Sequence, residues 1–314
     1  MKENLKIVAV EPIGIDEWKE QELKDFFAAY KCEFTLYKDR KEDAQTLKDR
    51  IADNDIAIIS NIPLKKEVLQ ECKNLKLIAV AFTGLDHIDL DYCNEHSIEV
   101  INASGYATEA VSELTIGLII DVMRKISELN QSIRHEGTRN NFLGSEIKGK
   151  TIGIVGTGAI GSRTALLLRC FGAKILAYSR RSMPYLQREQ VQYVDLPTLM
   201  KESDIVSIHV PLIKDTYHLL DEKMLSLCKK SAIIINTARG NVVDMDFLAK
   251  MLNENKIAGA GFDVYEKEPP ISNNHPLLTC PNAVCVPHIA FATKESFASR
   301  IEIVKNNIAA WLEK

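Results

Sequence analysis

Short runs of aliphatic and β-branched residues alternate with longer segments of amphipathic period along the whole chain, a pattern that specifies βαβ units and parallel sheets. Residues 6–10, 34–37, 56–60, 77–81 and 99–102 are the expected strands of a first set. Residues 151–155, 174–178, 205–210, 232–236, 259–263 and 283–287 form a second set. The expected fold class is α/β, with two doubly wound units. The stretch 108–134 reads as one long helix, with apolar positions at Val111, Leu114, Leu118, Val122 and Ile126, bridging the two units. A polar stretch over 135–150 leads into the second set. Residues 293–312 read as a terminal helix, and periodicity leaves open which unit it packs on.

At 314 residues the chain holds about two domains of ~150 residues each. Hydrophobic residues at 46% and charged residues at 26% exclude a disordered or collagen-like chain. The 39 Lys and Arg against 43 Asp and Glu, net −4, disfavour a phosphate backbone, so no nucleic-acid partner is expected. The first apolar run is too short for a signal peptide, and no stretch approaches the ~18 apolar residues of a membrane span. A cytoplasmic protein without a membrane partner is the expectation. Seven scattered cysteines without C-x-x-C, and seven histidines without H-x-x-x-H, point to free thiols and no metal site.

The segment Thr151-Ile-Gly-Ile-Val-Gly-Thr-Gly-Ala-Ile-Gly161 sets Gly156, Gly158 and Gly161 between a strand and a helix, with Ala159 and Ile160 inside the turn. Gly156 permits the tight turn, Gly158 lets backbone approach a pyrophosphate, and Gly161 lets the helix sit close on the sheet. The helix N-terminus would hold the anion. The end of the next strand then discriminates between dinucleotides. A carboxylate there would suit the ribose 2′-OH of NAD, but this chain has Ser179, Arg180 and Arg181. A hydroxyl followed by two guanidinium groups suits a 2′-phosphate, so NADP(H) is preferred, with NAD(H) as the alternative.

Three more segments follow expected strands, where open α/β sheets bind ligands: Asn236-Thr-Ala-Arg-Gly240, Gly261-Phe-Asp-Val264 running on to Glu268, and Val286-Pro-His-Ile-Ala290. With the glycine loop and the stretch from Ser203 to His218, they make the chain resemble the D-isomer-specific 2-hydroxyacid dehydrogenases, over nearly its whole length. The resemblance implies two Rossmann-like domains with a cleft between them. Residues 1–102, completed by 291–314, would form a flavodoxin-like substrate-binding domain, and residues 103–290 the dinucleotide-binding Rossmann domain.

By the same resemblance, Arg239 binds the substrate carboxylate, His288 is the acid/base, and Glu268 is the carboxylate that keeps the imidazole charged and oriented. Thr83 and Gly84 would add backbone amides to the substrate carboxylate. Asp263 would accept from the nicotinamide carboxamide. His209, Val210, Pro211 and Thr216 would line the adenosine half, and Thr237, Ala238 and Ala290 the nicotinamide half. The implied reaction reduces a small 2-keto acid of glyoxylate or hydroxypyruvate type to the D-2-hydroxy acid, in a homodimer joined through the long helix and the loop around 135–148. A D-lactate or phosphoglycerate dehydrogenase using NAD, and a nucleotide-sensing co-repressor-like protein, are the alternatives. Two positions depart from the family pattern: Arg139 stands where many members carry a pocket-closing tryptophan, and Phe291 where a small residue is usual.

Overall fold

A computed structural model describes residues 4–139 and 141–314. Residues 1–3 of the N-terminal stretch and Asn140 of the 135–148 loop lie outside the described residues. The chain divides into two compact units, Met1–Tyr106 with Thr293–Lys314, and Ala107–Ala292.

In the first unit, β1 (Lys6–Ala9), β2 (Glu33–Leu36), β3 (Ile56–Ile59), β4 (Leu77–Val80) and β5 (Glu99–Asn102) form a parallel sheet in the order β2-β1-β3-β4-β5. The central strands, IAII and LIAV, are buried along their whole length, as a parallel sheet covered on both faces requires. The terminal helix, Lys294–Glu313, belongs to this unit. Its Arg300 donates to the Ile13 carbonyl at 2.7 Å and its Asn307 to the Asn102 carbonyl at 3.1 Å.

The second unit holds β6 (Thr151–Val155), β7 (Lys174–Tyr178), β8 (Gln192–Tyr193), β9 (Ile205–Ile208), β10 (Ile233–Asn236), β11 (Gly259–Phe262) and β12 (Ala283–Cys285). All are parallel, in the order β12-β11-β10-β9-β6-β7-β8. The edge strand β8 is too short to carry a periodic signal, and the sequence pattern misses it. In both sheets the apolar run outlasts the ladder. Ser60, Ala81, His209, Val210, Asp263 and Val286 were expected inside strands, yet each lies just past the last paired residue. These positions start the loops at the carboxyl ends of the strands.

The expected helix over 108–134 is two helices, Thr108–Arg124 and Ile126–Ile133. Lys125 between them is left-handed, with φ 52° and ψ 43°. The cause is local. The Asp121 carboxylate takes the Ser127 amide at 2.8 Å and the Ser127 hydroxyl at 2.5 Å, a side-chain alternative to the helical ladder that redirects the chain. The first helix packs on β10, β11 and the helix Ala159–Cys170, and it lies in the second unit along its whole length. The second helix buries none of its residues. Among the described residues no helix is long and apolar enough to cross a membrane.

Candidate active site

The glycine loop is built as its spacing predicts. Gly156 has φ +100°, and a Cβ there would lie 2.7 Å from the His209 carbonyl oxygen. A Cβ on Gly161 would overlap the Gly156 carbonyl, so the helix can rest on the loop only with glycine at this position. Gly158 is different, because a Cβ on it meets nothing within 4 Å. Gly158 is also the N-cap of the helix Ala159–Cys170, and no side chain caps that helix. The loop therefore offers open space and first-turn amides without a side-chain acceptor, which fits a dinucleotide pyrophosphate.

Beyond β7, Ser179 is half-buried while Arg180 and Arg181 are exposed. Val210, Pro211 and Thr216 follow β9 as one turn. The Thr216 hydroxyl donates to the Pro211 carbonyl at 2.5 Å and accepts from the Ile213 amide at 2.9 Å. Ile160 accepts from the Ser112 hydroxyl at 3.3 Å.

His209 has Nε2 at 2.8 Å from the Ser207 hydroxyl, and burial pushes its imidazole down to about 3. Neutral in the fold, His209 gains a proton only on unfolding across the intervening pH range. Stability should therefore fall as pH drops below about 6.5, by at most about 1.4 kcal/mol per pH unit. Thermal unfolding of wild type and His209→Gln between about pH 7 and 5 checks this, with the wild type expected to lose more of its melting temperature.

The strand register gathers the remaining residues. Asn236 pairs with Phe262 and Phe262 with Cys285, so one row crosses β10, β11 and β12. Arg239, Asp263 and His288 follow that row on three neighbouring strands. The buried Asn236 shapes its own loop, donating to the Arg239 carbonyl at 3.0 Å and accepting from the Ala238 amide at 3.0 Å. The Arg239 guanidinium donates to the Ala238 carbonyl at 2.8 Å. The Thr237 hydroxyl lies 3.0 Å from that of Thr115, tying the loop to the helix Thr108–Arg124.

Gly240 then lets a second loop press close, since a Cβ there would overlap the Tyr265 carbonyl. On that second loop, the Glu268 carboxylate accepts from the Tyr265 amide at 3.3 Å, and its Oε1 lies 2.8 Å from His288 Nδ1. The structure thus brings Glu268 and His288 together, and the loop of Glu268 is packed against the one that carries Arg239.

His288 has φ +53°, an uncommon conformation for a residue with a side chain. Asp263 holds it there from beneath. Its carboxylate is fully buried and accepts from the Ile289 amide at 2.6 Å and the Ala290 amide at 3.0 Å. Burial pushes this carboxyl up, against the pull of the two amides. Through these two bonds Asp263 fixes the turn behind His288.

Tyr265, which sequence reasoning passed over, pins the same turn from the other side. Its hydroxyl lies 3.2 Å from the Val286 carbonyl and 3.4 Å from that of Phe262. Phe291 stands edge-on to the imidazole, with centroids 5.4 Å apart and planes at 87°.

Thr83 and Gly84 lie in the first unit, in the loop after β4. Thr83 is exposed, and its carbonyl accepts from Asn102 Nδ2 at 2.6 Å. Arg139 is exposed, and its guanidinium donates to the Phe142 carbonyl at 3.3 Å. Of the cysteines, Cys170 is exposed rather than buried, and burial raises the Cys285 thiol on β12.

The family model for the D-isomer specific 2-hydroxyacid dehydrogenase NAD binding domain matches residues 116–290. A glyoxylate reductase from Thermofilum pendens is 43% identical over 292 residues, covering 90% of this chain and 86% of that protein. A hydroxypyruvate reductase from Blautia hydrogenotrophica is 32% identical over 279 residues, covering 86% of each. Among solved structures, an acyclic imino acid reductase in complex with NADPH and D-Arg superposes with a TM-score of 0.90 at 30% identity, over 98% of this chain and 97% of that one. The chain belongs to the D-isomer-specific 2-hydroxyacid dehydrogenases, a family of NAD(P)-dependent oxidoreductases.

Proposed function

We propose that this protein reduces a small 2-keto acid, of glyoxylate or hydroxypyruvate size, to the D-2-hydroxy acid, with NADPH as the preferred reductant. The observation that carries the reading is the Glu268–His288 pair at 2.8 Å, with the loop of Glu268 packed against the one bearing Arg239. The relatives named glyoxylate and hydroxypyruvate reductase support the substrate class.

Gly156, Gly158, Ala159 and Gly161 would hold the pyrophosphate, and His209, Val210, Pro211 and Thr216 the adenosine half. Thr237, Ala238 and Ala290 would flank the nicotinamide. A nicotinamide dinucleotide bound there supplies hydride to the carbonyl carbon. Arg239 pairs its planar guanidinium with the substrate carboxylate and so sets the distance and angle of that carbon. With Nδ1 held by Glu268, His288 gives its proton to the carbonyl oxygen from Nε2 and recovers it in the oxidative direction. Glu268 fixes the plane of the ring through that contact.

The preference for NADPH rests on Ser179, Arg180 and Arg181 and on the absence of a carboxylate beside them. Turnover of glyoxylate, hydroxypyruvate, pyruvate and phenylpyruvate with each reduced cofactor tests both parts. Wild type should favour NADPH and the smaller acids. Arg180→Ala with Arg181→Ala should lower kcat/KM for NADPH roughly tenfold or more and leave NADH within about twofold. Equal losses with both cofactors would count against the 2′-phosphate reading, and binding without turnover across the panel would count against the enzyme. The expected homodimer is supported by the exposed apolar side chains of Ile126, Ile133 and Leu143, at 52%, 69% and 83% exposure, in the segment that the resemblance assigns to the contact.

A further inference from the structure

The loop that carries the two arginines is tied to the glycine loop at both ends. At its start, the Tyr178 carbonyl accepts from the Gly156 amide at 2.7 Å. At its far end, the Met183 amide donates to the Tyr193 hydroxyl at 3.0 Å, and that hydroxyl donates onward to the Thr157 side chain, also at 3.0 Å. Thr157, between Gly156 and Gly158, is 1% exposed, and its carbonyl accepts from the Ser162 hydroxyl at 2.9 Å. Tyr193 pairs with Ala177 from the edge strand β8, so its ring reaches past β7 to the loop after β6. Residues 179–182 therefore form a short arch. One end is anchored by backbone; at the other, Met183 starts the helix Pro184–Arg188, and the phenol oxygen of Tyr193 is what links its amide to the glycine loop.

We propose that Tyr193 is a positioning residue for cofactor discrimination. Through its hydroxyl it sets the place of Arg180 and Arg181 relative to the pyrophosphate cradle, and so the affinity for an adenosine 2′-phosphate. The proposal rests on the NADP(H) reading above. A guanidinium fork is strong only in the right plane and at the right distance, so an arch released at Met183 loses its grip on the 2′-phosphate while the cradle itself is retained. Phenylalanine at 193 keeps the ring and removes only the two hydrogen bonds.

The test is calorimetric binding of two adenosine diphosphate fragments, one carrying a 2′-phosphate and one without it, to the full-length protein. Tyr193→Phe should weaken the phosphorylated fragment about tenfold and leave the other within about twofold. Thr157→Val, which removes the acceptor from the other side, should do the same, and Thr157→Ser should restore wild-type discrimination. Equal weakening of both fragments, or no change in either, overturns the proposal. The Arg180→Ala, Arg181→Ala protein separates the two claims. If it binds both fragments like wild type, the NADP(H) reading falls and this proposal with it. If it loses the phosphorylated fragment while Tyr193→Phe keeps it, only the role of Tyr193 is lost.

Discussion

Replacement of His288 by Ala should lower turnover of the preferred keto acid about 10²- to 10⁴-fold, the usual worth of a positioned general acid, while NADPH affinity stays within about twofold. The separation is expected because the groups proposed to hold the pyrophosphate and the adenosine half follow β6, β7 and β9, whereas His288 follows β12. The imidazole is held by Glu268 at 2.8 Å, and its backbone by Asp263 through the two amides that come next. Neither support can transfer a proton to substrate once the ring is gone. Steady-state kinetics at saturating cofactor, with NADPH binding followed by fluorescence, reads the two quantities separately. Turnover unchanged in the variant removes His288 from the proton step.

Arg239→Ala should act mainly on the keto acid. Removing a bidentate guanidinium from a carboxylate costs about 1.5–3 kcal/mol for each charged hydrogen bond, which predicts a rise in KM of roughly 10²-fold or more. Some loss in kcat should accompany it, since the same contact aims the carbonyl carbon. Lysine at this position should recover only part of the effect, because a point charge cannot reproduce the planar fork. A change confined to NADPH affinity would place Arg239 on the cofactor side instead. The arrangement of its loop makes the test specific: Asn236 fixes the Arg239 backbone, so truncating the side chain leaves the loop braced.

The legible part of the fold is the part written in short-range pattern. Runs such as Ile56–Ile59 and Ile233–Asn236 are apolar throughout because both faces of a parallel strand are covered, and that composition alone marks them as strands. The glycine spacing is legible for a related reason. Gly156 has φ +100° and a Cβ on Gly161 would collide with the Gly156 carbonyl five residues back, so both requirements lie within the loop itself. Segment 236–240 and residues 263, 268 and 288 could be singled out by their joint placement after strands of one sheet, together with the glycine loop.

What could not be read depends on contacts between residues distant in sequence, or on a competition between two nearby partners. The break at Lys125 arises because Asp121 outbids the helical ladder for the Ser127 amide, and propensity does not register that contest. Asp263 is an acid after a strand in sequence, but only the register of β11 against β12 puts its carboxylate under the amides of Ile289 and Ala290. The neutrality of His209 follows from enclosure, and the reach of Tyr193 follows from a two-residue edge strand that no periodicity reveals. By itself the sequence determined the α/β class, the cofactor loop and the types of group available for proton and carboxylate chemistry, because these follow from side-chain composition at fixed short spacing. Only the tertiary structure decided which oxygen meets which nitrogen, since a hydrogen bond is made or lost within a few tenths of an ångström and strand register sets that distance.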